Sequence, residues 1–332
     1  MDGNRKPSVT IYDIARLAGV SPSTVSRALN VPGRINAKTE KRIREAAAAL
    51  NYRRNPMARA LPTGRTSTLA LILADITNPV FFTLVRGAER MSAAEGYTLV
   101  LADSHESGEL EEETAGRLLP SVDGFVLVAS RLDDDGVLRL AEHKPLVLAN
   151  RQVPGVTSVV PDVAPGIRDA LDHLVALGHR SLAFLSGPAA SWMSNRRWET
   201  LLSEALQRGM SIVEIGPNAP TLDGGKSALQ RVVASGFTAV ITYNDLMAIG
   251  LLQACREAGI DVPGKLSIIG FDDIFGSELT TPPVTTIRMP LDVVGEHAVQ
   301  RLISTVEGKD DVEQPSLSTE LVVRGSTAVP KT

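Results

Sequence analysis

The chain reads as an α/β protein carrying an all-helical head, and three observations lead there. Short apolar runs alternate with helical patterns from Ser67 onward, residues 10–30 pair two short helices about a glycine, and the charge changes sign between these parts. Residues 1–66 hold 13 Lys and Arg against 4 Asp and Glu, a net +9, while the remaining 266 residues carry −13. The overall −4 therefore hides a basic head, suited to a phosphate backbone, on an acidic body that such a backbone would repel.

In TIYDIARLAGVSPSTVSRALN (10–30), Thr10 is placed to cap a first helix, with Asp13 favouring its amino end and Ile14 and Leu17 as its inward stripe. Gly19 makes the turn. Ser21 followed by Pro22 starts a second helix, because proline at the first helical position lacks only an N–H that would have no partner there. Val25 and Leu29 face inward, and Pro22, Ser23, Ser26 and Arg27 share the opposite face. In a helix-turn-helix that face enters the major groove. TEKRIREAAAAL (39–50) predicts a third helix, capped by Thr39, with Ile43, Ala47 and Leu50 on one face. Residues 51–66 are basic and broken by Pro56, Pro62 and Gly64, so they read as a hinge with at most one short helix, 56–61. Leu61, exposed at its end, is a partner contact or a minor-groove wedge.

Seven apolar runs follow, at 69–75, 97–103, 124–130, 145–150, 181–187, 238–244 and 265–272, with helices expected at 80–95, 163–177, 195–208, 245–259 and 290–307. Continuous apolar strands separated by helices imply parallel sheets covered on both faces. So many strands are long for one sheet, which predicts two α/β subdomains with ligand-binding groups at the carboxyl ends of the strands.

Catalytic and metal chemistry find no support. There is no G-x-S-x-G and no H-E-x-x-H, and GGKS (224–227) has Pro220 where a P-loop needs its first glycine. The five histidines are scattered without ligand spacing, His179 reading as part of a surface loop, and the single Cys255 excludes an intramolecular disulfide and suits a buried helix face. No enzyme activity, cofactor or metal is expected. No stretch of about 20 residues is apolar throughout and the amino end is polar, which predicts a cytoplasmic, nucleoid-associated protein with no membrane partner.

Several motifs in order carry a resemblance along nearly the whole chain: the head above, NPMARALPTGRT, DITNPVFF, LVALGHRSLAFLSGP, SWMSNRRW, YNDLMAIGLLQACREAGIDVP, and SIIGFDD followed by TPPVTTIRMPLDVVGEHAV. The chain resembles the LacI/GalR family of bacterial transcription regulators. That resemblance implies a headpiece (1–50), a hinge (51–66) whose helix forms on operator DNA, and an effector-binding and dimerising core (67–332). The core would be similar to periplasmic sugar-binding proteins, with two interleaved subdomains and crossovers near 161, 290 and 322. It implies a homodimer reading a palindromic operator, and the absence of a heptad run before Thr332 predicts a dimer without a tetramerising tail.

By position, the resemblance makes Pro22, Ser23 and Arg27 base-facing. Arg27 has the greatest specifying power, through guanine O6 and N7. Thr24, Ser26, Asn30 and Arg34 become phosphate contacts, and Leu61 becomes the central wedge beside Ala58 and Arg59. For the effector it points to Phe81, Phe82, Asn150, Trp192, Arg197, Asn244 and Asp272, a set of donors, acceptors and aromatic faces suited to a sugar-like or heterocyclic molecule. Phe81 and Phe82 also suit plain core, Asn244 a helix cap and Trp192 a core indole. Thr200 replaces the family's usual glycine, which leaves Arg196 or Arg197 as the cleft arginine; Arg197, followed by Trp198, is preferred. Repression relieved by an inducer is the expected action, with activation or corepression as the alternatives on the same fold.

Overall fold

A computed structural model describes residues 9–30, 34–52, 65–310, 313 and 315–331. Its contacts divide the chain into two compact units, 1–66 and 67–332.

The head packs α1 (Ile11–Ala18), α2 (Pro22–Asn30) and α3 (Ala37–Ala49). Thr10 and Asp13 form a reciprocal capping box, and Gly19 closes α1 in the left-handed region at φ 60°, which only glycine adopts without strain. Ser21 Oγ accepts the Thr24 N–H at 3.2 Å, so α2 begins at Pro22. The small core joins Ile14, Ala15 and Ala18 to Val25, Ala28, Ile43 and Ala46. Two expectations are corrected here. Leu17 is 57% exposed, because the inward positions 11, 14, 15 and 18 follow the helical period and 17 falls outside them. The cap of α3 is Asn36, whose side chain accepts from Lys38 N, and Thr39 lies within the helix.

The second unit holds two parallel-sheet lobes. The first runs β1 (Thr68–Leu73), α4 (Phe81–Ala94), β2 (Thr98–Asp103), α5 (Gly108–Leu118), β3 (Gly124–Val128), α6 (Asp134–His143), β4 (Leu146–Ala149) and β5 (Ser158–Val159). Its strand order is β2-β1-β3-β4-β5, all parallel, with Leu71 opposite Leu101 and Val126. The chain then enters the second lobe through α7 (Ala164–Ala176), β6 (Ser181–Leu185), α8 (Trp192–Gln207), β7 (Ser211–Ile215), α9 (Leu222–Ser227), α10 (Leu229–Ala234), β8 (Ala239–Thr242), α11 (Asp245–Glu257), β9 (Ser267–Asp272) and β10 (Thr285–Arg288).

The long helix α12 (Leu291–Glu307) returns to the first lobe and packs on α4, and β11 (Glu320–Val322) completes the second sheet antiparallel to β10. The second sheet is ordered β11-β10-β9-β8-β6-β7. At the α4–α12 crossing a Cβ on Gly87 would lie 2.0 Å from the Asp292 carbonyl, and one on Gly295 equally close to the Leu84 carbonyl, so the backbones touch where only glycine fits. The first and third passages between lobes run side by side: Asp162 N donates to Leu317 O (2.9 Å), and Thr319 N donates to Asp162 O (3.2 Å). The third passage thus precedes Glu320, where the sequence reading put it near 322.

All seven apolar runs form strands, and Cys255 is buried. His179 corrects its surface reading. It is buried, with Nδ1 2.8 Å from Thr238 Oγ1 and Nε2 3.1 Å from both Ser267 Oγ and Ala328 O, and burial holds its pKa below the usual range. Among the described residues no helix is long and apolar enough to cross a membrane.

Candidate functional site

On the head, α2 turns Ser23 and Arg27 fully outward, with Pro22, Thr24 and Ser26 half-buried beside them and Arg34 exposed just beyond. The Ser23 and Thr24 hydroxyls lie 2.9 and 2.8 Å from Ser21 Oγ, so the cap fixes the first turn of the presented face. The Asn30 side chain and the hinge residues Ala58, Arg59 and Leu61 lie outside the described residues. Sequence reasoning passed over Tyr12, which is 64% exposed and lines an open groove with Arg16, Ser21 and Pro22. Its signal was positional: 12 and 16 are one turn apart on the face of α1 opposite Ile14 and Ala18.

The second candidate lies where strand ends of the two lobes face each other. Its lining includes Phe81, Asn150, Arg197, Asn244 and Asp272, together with Glu106, Arg131, Met193, Tyr243 and Met289, which the sequence reading did not name. The space enclosed is ≈ 30 Å³.

Arg197, on the inner face of α8, anchors this wall. Its Nη2 donates to Asp272 Oδ1 at 2.8 Å, its Nη1 donates to the Tyr243 carbonyl, and its guanidinium stacks 3.8 Å from the Phe271 ring centroid. Asp272 ends β9 with φ 106°, a strained backbone that turns its carboxylate inward. Burial pushes its pKa up to about 6, against the pull of Arg197. The next residue, Asp273, faces elsewhere and pairs with Arg324 (2.6 Å) and Arg288 (2.7 Å).

Asn150, after β4, also has a left-handed backbone (φ 58°); among the described residues its Oδ1 and the Nε–H of Arg197 are both buried without a hydrogen-bond partner. An unmatched acceptor and donor in one cleft are what a hydroxyl could satisfy, since it both donates and accepts. From the first lobe, Arg131 reaches in with Nε on Glu106 (2.7 Å) and Nη1 on the Ala129 carbonyl (2.7 Å). Each guanidinium in the cleft is thus neutralised by its own carboxylate.

Three expected residues behave differently. Asn244 lines the cleft, but its Oδ1 caps α11 through Met247 N (2.9 Å) and its Nδ2 donates to Pro220 O (2.9 Å), so both ends of the amide are committed to the fold. Phe82 is 53% exposed and turns away, because one residue along α4 rotates the side chain about 100° from the inward Phe81. Trp192 lines a separate groove on the next face of α8, beside Arg196.

Beneath Asp272 lies Asp245, fully buried at the start of α11. It accepts from Thr286 Oγ1 (2.6 Å), Ser277 Oγ (2.6 Å) and Ile274 N (2.9 Å), and so ties the cleft floor to the loop after β9. Burial, and then repulsion by Asp272, push its pKa up to about 7. That loop carries Phe275 and Leu279, 64% and 72% exposed.

Comparison with known proteins agrees with this architecture. The sequence profile of bacterial regulatory proteins of the lacI family matches residues 10–55, and that of the periplasmic binding protein-like domain matches residues 171–327. The chain is 31% identical over 333 residues to the HTH-type transcriptional repressor CytR of Escherichia coli strain K12, covering 97% of each. Among solved structures it is similar to the Lac repressor dimer bound to operator and the anti-inducer ONPF, with 27% identity, a TM-score of 0.87, and 97% and 99% of the two chains covered. It is also similar to a complex of the transcriptional regulator CelR with cellobiose, with 27% identity, a TM-score of 0.71, and 96% and 99% covered. A helix-turn-helix head joined to a two-lobed core, matched end to end by such relatives, places this chain in the lacI family of bacterial regulatory proteins.

Proposed function

We propose that this protein is a homodimeric transcriptional repressor that binds a palindromic operator through two heads and is controlled by a small polar molecule in the interlobe cleft. The observation that carries the reading is the end-to-end match to a repressor and to a repressor dimer on its operator. In this reading Pro22, Ser23 and Arg27 meet base edges, Thr24, Ser26, Asn30 and Arg34 meet phosphates, and Leu61, flanked by Ala58 and Arg59, wedges into the minor groove at the operator centre. Protomers associate through the face around α11, where Leu222, Phe275 and Leu279 are exposed. The protein acts in the cytoplasm, on the nucleoid.

The effector contacts Phe81, Asn150, Arg197 and Asp272, and Arg131 and Glu106 from the first lobe. Because the free space in the cleft is only ≈ 30 Å³, entry of a sugar-sized effector parts the lobes, and that displacement couples the cleft to DNA binding. The two Arg–carboxylate pairs favour a neutral, hydroxyl-bearing effector. The test is selection of the operator from random duplexes, followed by titration with neutral sugars and nucleosides. An inverted-repeat site whose affinity changes on addition of one of them supports the reading; absence of any preferred sequence refutes it.

A further inference from the structure

Trp192 is the residue the cleft does not absorb. It opens α8 directly after the capping Ser191, with part of its indole packed on the apolar core and the rest facing a groove of ≈ 670 Å³. On the same face of α8, at helical spacing, stand Asn195, Arg196 and Glu199; across from them run Asp162 and Gln152. The groove straddles the passage between lobes. Gln152 follows β4 of the first lobe, Asp162 lies in the crossing strand, and α8 belongs to the second.

A fixed far wall sets this groove apart from a solvated helix face: Asp162 is bonded through its backbone to Leu317 and Thr319, and its Oδ1 accepts Ala164 N at 3.0 Å. The groove's other polar groups are exposed and open to a ligand. Among the described residues the side chains of Gln152, Asn195, Arg196 and Glu199 form no hydrogen bond or ion pair, whereas Arg197, one position on, spends its guanidinium on Tyr243 and Asp272.

We propose that this groove is a second ligand site, taking a neutral polyhydroxylated ring such as a sugar or the ribose of a nucleoside. The indole offers a flat apolar face for the ring's C–H edges. Arg196 donates, Asp162 and Glu199 accept, and the two amides do both, which matches hydroxyl groups. Two carboxylates beside one guanidinium disfavour an anion, and Arg196 disfavours a cation. An occupant spanning Gln152, Asp162 and α8 fixes the crossing strand, so it biases the same parting of the lobes as the cleft ligand and gives the core a second chemical input.

The experiment is equilibrium dialysis of radiolabelled D-ribose, D-glucose and cytidine against the full-length protein and its variants. At least one probe is expected to occupy a site whose affinity falls tenfold or more in Arg196→Ala and in Trp192→Ala and stays within twofold in Asp272→Asn. Arg196 is exposed, so that variant keeps the test valid even where loss of the indole perturbs folding. The proposal is overturned if none of the three probes binds, if Arg196→Ala leaves every affinity unchanged, or if binding falls with Asp272→Asn as much as with Arg196→Ala. The last result would assign all binding to the cleft and leave the cleft reading standing.

Discussion

Arg197 and Asp272 close on each other at 2.8 Å with both side chains almost wholly buried, so each is the other's principal counter-charge. Removing one partner of such a pair strands the other in low dielectric. Arg197→Ala is therefore expected to lower stability by about 3–5 kcal/mol, and Asp272→Asn, which leaves a hydrogen-bonding amide, by less. Chemical denaturation of both variants measures this; equal, small losses would mean that the pair contributes little to folding.

Operator binding should be steeply salt-dependent, because the net +9 of each head meets a polyanion. The slope of log affinity against log salt is expected at roughly −0.9 per phosphate neutralised. Binding measured from 50 to 300 mM salt gives the slope, and a chain starting at Ser67 should not bind. A flat salt response, or retention by the truncated chain, contradicts the assignment of DNA binding to the head.

Leu279→Asp places a charge at the most exposed large apolar side chain described. If the face around α11 joins protomers, burying that carboxylate without a partner costs several kcal/mol, and sedimentation should show monomers at micromolar concentration. An unchanged dimer would move the interface elsewhere.

Asp245 makes stability depend on pH in a direction opposite to most carboxylates. Its folded pKa, up to about 7, lies above the unfolded value, so the folded state holds the proton more tightly. This contribution is fully present below about pH 4 and is lost as pH rises through 7. His179, with its lowered pKa, pulls the other way in acid, so the informative quantity is the difference between parent and variant. The melting temperature of the parent relative to Asp245→Asn should fall between pH 5 and pH 8. A constant difference would show that Asp245 keeps one protonation state throughout.

Six of the apolar strands were legible because burial on both faces demands unbroken Val, Leu, Ile and Ala, whereas the edge strand β2, with no buried residue, was legible only because its run TLVLA is apolar despite its exposure. Strand β7 was not: SIVEI lies at a sheet edge with much of its length exposed, so selection for apolar side chains is weak there. Helix α5, GELEEETAGRL, has too narrow an apolar stripe to show periodicity. Of the cleft, Phe81, Asn150, Arg197 and Asp272 were reached through motif resemblance. Arg131, Glu106 and Tyr243 stand in connections after strands, where no local pattern distinguishes a side chain turned into the cleft from one in solvent. Phe82 was misplaced by helical phase, which a one-residue difference decides, and Trp192 packs in part on the core, the alternative its position also suited.

The glycine-mediated crossing of α4 and α12 has a consequence for biosynthesis. All five strands of the first sheet are translated before residue 160, yet the helix that packs against β3, β4 and α4 begins at Leu291. A growing chain must therefore carry an incomplete first lobe, its Gly87 ridge bare, through translation of most of the second. Only when Leu291–Glu307 has left the ribosome can that lobe finish, so the order of events runs from α12 back to the amino-terminal half.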